Sequence, residues 1–187
     1  MVKDLFKLPE NLPVPLDDGG CNHLQNIAVP SINLITTNNC EINLHELAQT
    51  PTVIFFYPRT GTLTDPTADG WNLIPGARGC TPQSCGFRDL YSEFKELGFN
   101  VYGASTQTTE YQQEFVERNH IPFEIISDEK FLMTDKLILP TFEFNNQRLI
   151  KRMAMILNHG KIMKVFYPVF PPDKNAEVVL NWIQKEN

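Results

Sequence analysis

Residues 52–58 read TVIFFYP, an unbroken run of β-branched and aromatic side chains closed by a proline. A strand with one face in water alternates apolar and polar residues. This run does not alternate, so it is predicted to be a strand buried on both faces. The segments downstream then alternate between helix and strand patterns. "TPQSCGFRDLYSEFKELG" is predicted to be one helix, with Phe87, Leu90, Tyr91, Phe94 and Leu97 on a single face. Thr81 and Pro82 suit its N-cap and first turn, and Gly98 suits its stop. "FNVYGAST" reads as a buried strand, "TTEYQQEFVERNH" as a helix, "FEIISD" as a strand and "EKFLMTDKLI" as a short helix. "KRMAMILNHGKIMKVFYP" is a predicted hairpin turning at Asn158-His159-Gly160, and Pro171 and Pro172 introduce a closing helix. Upstream, "SINLITTNNCEINL" reads as a short hairpin at Asn38-Asn39. The order predicts an α/β fold on a mixed sheet flanked by helices, parallel in part, with one antiparallel edge.

The domain is expected over residues 31–187. Residues 1–30, with Pro9, Pro13, Pro15 and Pro30, are expected to form an extended arm packed on it. A chain of 187 residues that is 42% hydrophobic suits one such domain. A net charge of -6 argues against nucleic acid and anionic membrane as main partners. No run is apolar and long enough to span a bilayer, and the first twenty residues lack a signal peptide's apolar stretch. The expected location is therefore the cytoplasm, where four cysteines do not make a disulfide scaffold.

Two of those cysteines, Cys80 and Cys85, lie in "GARGCTPQSCGFRD" at the start of the predicted helix. Three readings are open. A structural zinc site needs four ligands, usually as two close pairs, and no second pair follows. A permanent disulfide conflicts with the helix: residues five apart have Cα atoms roughly 8–9 Å apart, whereas a disulfide needs about 7 Å or less. A reactive thiol needs help. Lowering a thiol pKa by two units takes about 2.7 kcal/mol, and a helix N-terminus supplies roughly 0.3–1 kcal/mol, about 2 at best. A guanidinium is the natural supplement, from Arg59, Arg78, Arg88, Arg118, Arg148 or Arg152. Cys21 sits beside Asp17 and Asp18, which would raise its pKa, and reads as a packed, inert thiol; Cys40 reads as a turn or strand residue, and His45 as half-buried on a short helix.

"FFYPRTG … GCTPQSCGFRD" and "LPTFEF … LIKRMAMILNHGKI" resemble the peroxiredoxins, and within them the Q-type, bacterioferritin-comigratory subfamily. The resemblance runs from about Pro30 to the C-terminus. It implies a thioredoxin-like fold and a thiol peroxidase acting on hydrogen peroxide or small organic hydroperoxides. By it, Cys80 is the peroxidatic cysteine, inside the helix's first turn, and Cys85 the resolving cysteine that bonds to it once that turn unwinds. Arg152, opening an edge strand, is the arginine of the site. The family's proline falls on Pro58, and its threonine on Thr60 in preference to Thr62, because the position three before Cys80 is Ala77. "TLTDPTADGWNLIPG" then reads as an insertion, packed down through Trp71 and Leu73. The resemblance further implies a thioredoxin- or glutaredoxin-type reductant, no metal or organic cofactor, and a monomer or weak dimer. Two other uses of the same cysteine pair stand as alternatives: a thiol–disulfide oxidoreductase, which ordinarily carries C-x-x-C, and a non-enzymatic redox sensor.

Overall fold

In the computed structural model, which describes residues 5–62 and 70–186, the elements run β1 (Asn33–Thr36), β2 (Glu41–Asn43), α1 (Leu44–Leu47), β3 (Thr52–Phe56), α2 (Cys80–Asp89), α3 (Tyr91–Glu96) and β4 (Asn100–Ser105). They continue with α4 (Thr109–Asn119), β5 (Ile125–Ser127), α5 (Leu132–Lys136), β6 (Thr141–Phe144), β7 (Gln147–Ile150), β8 (Met153–Asn158), β9 (Lys161–Phe166) and α6 (Asn175–Glu186). Seven strands form one sheet in the order β2-β1-β5-β4-β3-β8-β9, while β6 and β7 pair separately.

The TVIFFYP run is β3, and all five of its residues are buried. Its alternation is between two cores. Val53 and Phe55 pack with Phe87, Phe94, Phe115, Val179 and Ile183, from α2, α3, α4 and α6. Ile54 and Phe56 face Leu24, Leu44, Met133 and Leu157 on the opposite side. Strand β8 divides in the same way, with Ala154 and Ile156 in the first core and Met153, Met155 and Leu157 in the second. A strand bearing large apolar groups on both faces is stable only between two such layers.

Both edges of the sheet are antiparallel, not one. β3, β4 and β5 pair in parallel, β1 and β2 extend antiparallel beyond β5, and β8 and β9 extend antiparallel beyond β3. The strand that follows Arg152 is therefore internal, and β9 is the edge. The long predicted helix is two, broken at Leu90 (φ -104°, ψ 13°). The apolar face survives the break because Leu90 still accepts from Phe94 N and donates to Gly86 O. That is why a pattern with helical period did not reveal it. The β6–β7 hairpin, absent from the sequence reading, turns on Asn145 and Asn146 at φ 49° and 59°, the positive pair that a tight hairpin favours.

The N-terminal segment contributes to the core. Leu24 is fully buried, and Ala28 bridges to Lys161 beside β9. Of the expected insertion from Thr62 to Gly76, residues 63–69 lie outside the described residues. Trp71 is buried against Phe142 and Phe144 of the small hairpin. Leu73, expected to pack beside it, is exposed.

Candidate active site

Helix α2 begins at Cys80, two residues before the capping pattern of Thr81 and Pro82 predicts, because Gly79 provides the turn. Gly79 has φ 107° and ψ 23°, a conformation that a side chain opposes. A Cβ there would meet Pro172 Cγ at 2.3 Å and Leu8 Cδ2 at 2.9 Å. The turn thus sits in a space that only glycine fits, and it places the Cys80 sulfur at the positive end of α2. Pro82 falls within the first turn, where a missing N–H costs nothing.

Arg152 reaches this sulfur from the residue just before β8. Its Nη2 lies 3.3 Å from Cys80 Sγ. Nη2 also donates to the carbonyls of Ala77 (2.9 Å) and Arg78 (3.2 Å), and Nε donates to Gly76 O (3.1 Å). Nη1 donates to Gln83 Oε1. The segment entering α2 therefore turns three successive carbonyls onto one guanidinium. The use of Ala77 is by backbone, with its methyl buried beside Trp71. Arg152 is only 3% exposed, and these partners include no carboxylate. A buried cation without an anion is costly, and the acceptor here able to become one is the sulfur. Arg88, near in sequence, instead pairs with Asp89 and donates to Asn119 O.

Gln83 and Asn175 complete the cradle. Gln83, fully buried one turn along α2, accepts from Arg152 and donates to Asn175 Oδ1 (2.8 Å) and more weakly to Phe56 O (3.4 Å). Asn175, buried at the first turn of α6, ties that helix to the guanidinium through Gln83. Neither residue was singled out in the sequence. A glutamine inside a helix and an asparagine at a helix start have ordinary surface or capping uses, and only the tertiary contact reveals their role.

Thr60 shares a cavity of about 10 Å³ with Cys80, walled by Arg59, Trp71 and Leu5 among others; that volume holds roughly one water-sized group. Thr60 is buried and tightly held. Its N and Oγ1 donate to Gln107 Oε1 at 2.9 and 3.2 Å, and its carbonyl accepts from Gln107 Nε2 and from the Tyr111 hydroxyl. With the hydroxyl proton directed to Gln107, the oxygen's lone pairs are left to accept. Thr62 does not line this cavity. Pro58 is buried in the bend after β3 and is not a lining residue either. Gln107 and Tyr111, which grip Thr60 from the start of α4, carried no signal in the sequence.

Cys85 lies five residues along the same continuous helix, buried and with a free thiol; burial pushes that thiol up, with nearby Arg88 opposing. Cys21 is also buried, beside Met153 Sδ at 3.8 Å, and its thiol is pushed up to about 12, by burial first and by Asp18 and Asp17 after. Cys40 is exposed in the β1–β2 turn.

The family model described as Redoxin matches residues 25–180. Peroxiredoxin Q of Sedum lineare, a chloroplastic protein, is 28% identical over 156 residues, covering 83% of this chain and 75% of that protein. The Gentiana triflora counterpart is 26% identical over 156 residues, which is 83% of this chain but 64% of that protein. Peroxiredoxin Bcp of Escherichia coli K12 is 28% identical over 160 residues, covering 83% of this chain and 92% of that protein. Among solved structures, peroxidoxin BcpB of Mycobacterium tuberculosis superposes with a TM-score of 0.71 at 23% identity, over 88% of this chain and 99% of the other. Peroxiredoxin Q of Xanthomonas campestris does so at 0.66 and 19% identity, over 92% and 96%.

Proposed function

The chain belongs to the redoxin family, with the thioredoxin-like fold of its structural neighbours, and on that premise we propose that it is a thiol peroxidase whose attacking group is Cys80. The observation that carries this reading is the buried Arg152 guanidinium 3.3 Å from the sulfur, with carbonyls and an amide for its other acceptors. A full charge about 4 Å from an anion is worth about 4 kcal/mol gross near a protein surface, several times the helix N-terminus contribution of roughly 0.3–1 kcal/mol. Arg152 is thus the larger of the two positive influences at the sulfur.

Thiolate Sγ attacks the terminal oxygen of the peroxide. The O–O bond breaks, the sulfur keeps that oxygen and its hydrogen as sulfenic acid, and the other oxygen leaves as hydroxide or alkoxide, which takes up the proton the thiol released on ionising to give water or alcohol. Thr60 Oγ1 orients the peroxide by accepting its O–H. Pro58 supports the bend that carries Thr60. The Cys85 thiol then displaces water from the sulfenic acid to form the Cys80–Cys85 disulfide. In intact α2 their Cα atoms stand roughly 8–9 Å apart, beyond the roughly 7 Å limit of a disulfide, so the first turns unwind for this step. A dithiol of the thioredoxin or glutaredoxin class attacks the disulfide, leaving two thiols here and its own disulfide. All the groups named come from one chain, so the chemistry needs no second copy and suits a monomer or weak dimer. The cycle also needs a reducing compartment, for which we take the cytoplasm; none of the described helices is long and apolar enough to cross a membrane.

The test uses one equivalent of hydrogen peroxide followed by trypsin. Cleavage after Arg78 and Arg88 leaves both cysteines in the peptide 79–88. That peptide is expected to lose about 2 Da on disulfide formation, and Cys80→Ser is expected to abolish peroxide consumption. A disulfide joining other residues, or turnover retained in Cys80→Ser, overturns the reading. Sustained consumption with a thiol reductant separates an enzyme from a sensor that is oxidised once.

A further inference from the structure

Thr60 is held by a side chain that stands in for a neighbouring strand. β3 ends at Phe56, and four residues on, both polar groups of the Thr60 backbone are met by side chains. Its N donates to Gln107 Oε1 at 2.9 Å, and its O accepts from Gln107 Nε2 at 3.3 Å and from the Tyr111 hydroxyl at 3.0 Å. Gln107 is fixed in turn to the ends of two core strands. Its N donates to Ser105 Oγ at 3.2 Å and its carbonyl accepts from Ser127 Oγ at 2.8 Å; these serines are the last residues of β4 and β5. The contacts with the Thr60 backbone settle which way the amide lies. Turned over, it would set its NH2 against the Thr60 N–H and its oxygen against the Thr60 carbonyl. The atom 3.2 Å from Thr60 Oγ1 is therefore Oε1, which can only accept. Two oxygens at that distance need a proton between them, and the Thr60 hydroxyl supplies it.

A threonine hydroxyl free to rotate has two uses beside a thiolate. It can donate to the sulfur, which stabilises the anion and lowers its nucleophilicity, or it can accept from the O–H of an incoming peroxide. Thr60 and Cys80 line the same small cavity, and with its proton committed to Gln107 only the second use is open. We propose that Gln107 is a positioning residue of the peroxide site: by fixing the direction of the Thr60 proton, it makes Thr60 an acceptor for peroxide and keeps it from donating to Cys80. The proposal rests on the peroxidase reading and deepens it. Ala77 stands three residues before Cys80, so the hydroxyl comes from a separate segment, and Gln107 is what ties that segment to the sheet.

The experiment is a double-mutant cycle on Gln107→Met and Thr60→Val, read by two reactions of the same sulfur. The first is the rate constant for hydrogen peroxide by stopped flow, with a small dithiol as reductant. The second is alkylation of Cys80 by iodoacetamide, located by fragmenting the peptide 79–88; it reports the thiolate and uses no hydroxyl acceptor. Gln107→Met is expected to slow the peroxide reaction about tenfold, within the range that a misplaced group costs, while alkylation stays within about twofold. In the Thr60→Val background the same change is expected to alter the peroxide rate by less than about twofold, because residues acting through one contact are not additive. Melting curves check the fold, and Gln107→Ala, a truncation that leaves room for water, supplies the same readout through a different change. Equal losses with and without the Thr60 hydroxyl overturn the proposal, and so does a peroxide rate within about twofold of the unaltered protein in both Gln107 variants. Peroxide and alkylation rates falling together reveal a merely structural role and overturn it as well. Failure of the unaltered protein to consume peroxide overturns the peroxidase reading beneath it.

Discussion

Gly79→Ala is the substitution that most directly tests how the site is built. Two costs arise, and they are separable. Gly79 has φ 107°, and an alanine held in the left-handed half of backbone space costs roughly 1–2 kcal/mol. The new methyl would also stand 2.3 Å from Pro172 Cγ and 3.0 Å from Pro172 Cβ. Pro172 is a buried ring that cannot rotate away, so α2 or the Pro171–Pro172 segment must shift. Overpacking of that kind typically costs about 1–3 kcal/mol. Together these give about 2–5 kcal/mol, a large part of the roughly 5–15 kcal/mol of a typical domain. At about 2–4 °C per kcal/mol for a chain of this size, melting should fall by about 4–20 °C. The displaced residue adjoins Cys80, so the 3.3 Å contact with Arg152 lengthens too. Peroxide consumption should drop about tenfold or more, since a misplacement near 1 Å can cost about a hundredfold. Gly98→Ala is the control: its φ is 81°, but nothing lies within 4 Å of the added carbon, so it carries the backbone cost alone. The assays are calorimetric melting and stopped-flow peroxide consumption. Equal melting losses in Gly79→Ala and Gly98→Ala, with activity preserved in both, would refute the packing of the α2 start against Pro172.

Gln83→Ala removes the acceptor of Arg152 Nη1 and the donor to Asn175. Each orphaned buried group costs about 1–3 kcal/mol, so lower melting and a tenfold or greater loss of kcat/KM are expected, and wild-type kinetics would show that Arg152 holds its place unaided. Thiol mapping by iodoacetamide at pH 8 is expected to label exposed Cys40 quickly and Cys21 hardly at all, because a thiol pushed up to about 12 is about one part in ten thousand thiolate there. The same shift fixes a sign. The folded chain keeps the Cys21 proton that the unfolded chain releases near pH 8.5, so this contribution to stability is full below about 8.5 and lost as pH rises toward about 12. Cys21→Ala should flatten the alkaline fall in melting temperature, and an unchanged slope would place its cause elsewhere.

What was legible in the sequence followed from short-range physics. β3 was visible because burial on both faces suppresses alternation, and the turn at Asn158-His159-Gly160 because its residues accept positive φ. The paired cysteines, and the Arg152 that the structure sets beside Cys80, were visible as residue types in order. The split at Leu90 was hidden, since its apolar face carries on unbroken. The β6–β7 hairpin was passed over although Asn145-Asn146 marks it, its strands being short and largely half-buried. Topology hid the second antiparallel edge, because pairing β1 beside β5 joins segments about ninety residues apart, a choice that loop-closure entropy scarcely biases. Gln83, Asn175, Gln107 and Tyr111 were silent for a similar reason. Each acts through one long-range hydrogen bond or a few, and residue type says nothing about a partner far along the chain.

Gln83 lies between the two thiols along α2 while bonded to both Arg152 and Asn175. On the proposed cycle, the unwinding that brings Cys80 to Cys85 must also tear this amide from both partners. Oxidation therefore disassembles the receptor that captured the oxidant, and the foot of α6 registers the event through Asn175. On that cycle the protein would work as an escapement: each peroxide releases one tooth, and only the reductant, by letting the coil rewind, sets the next.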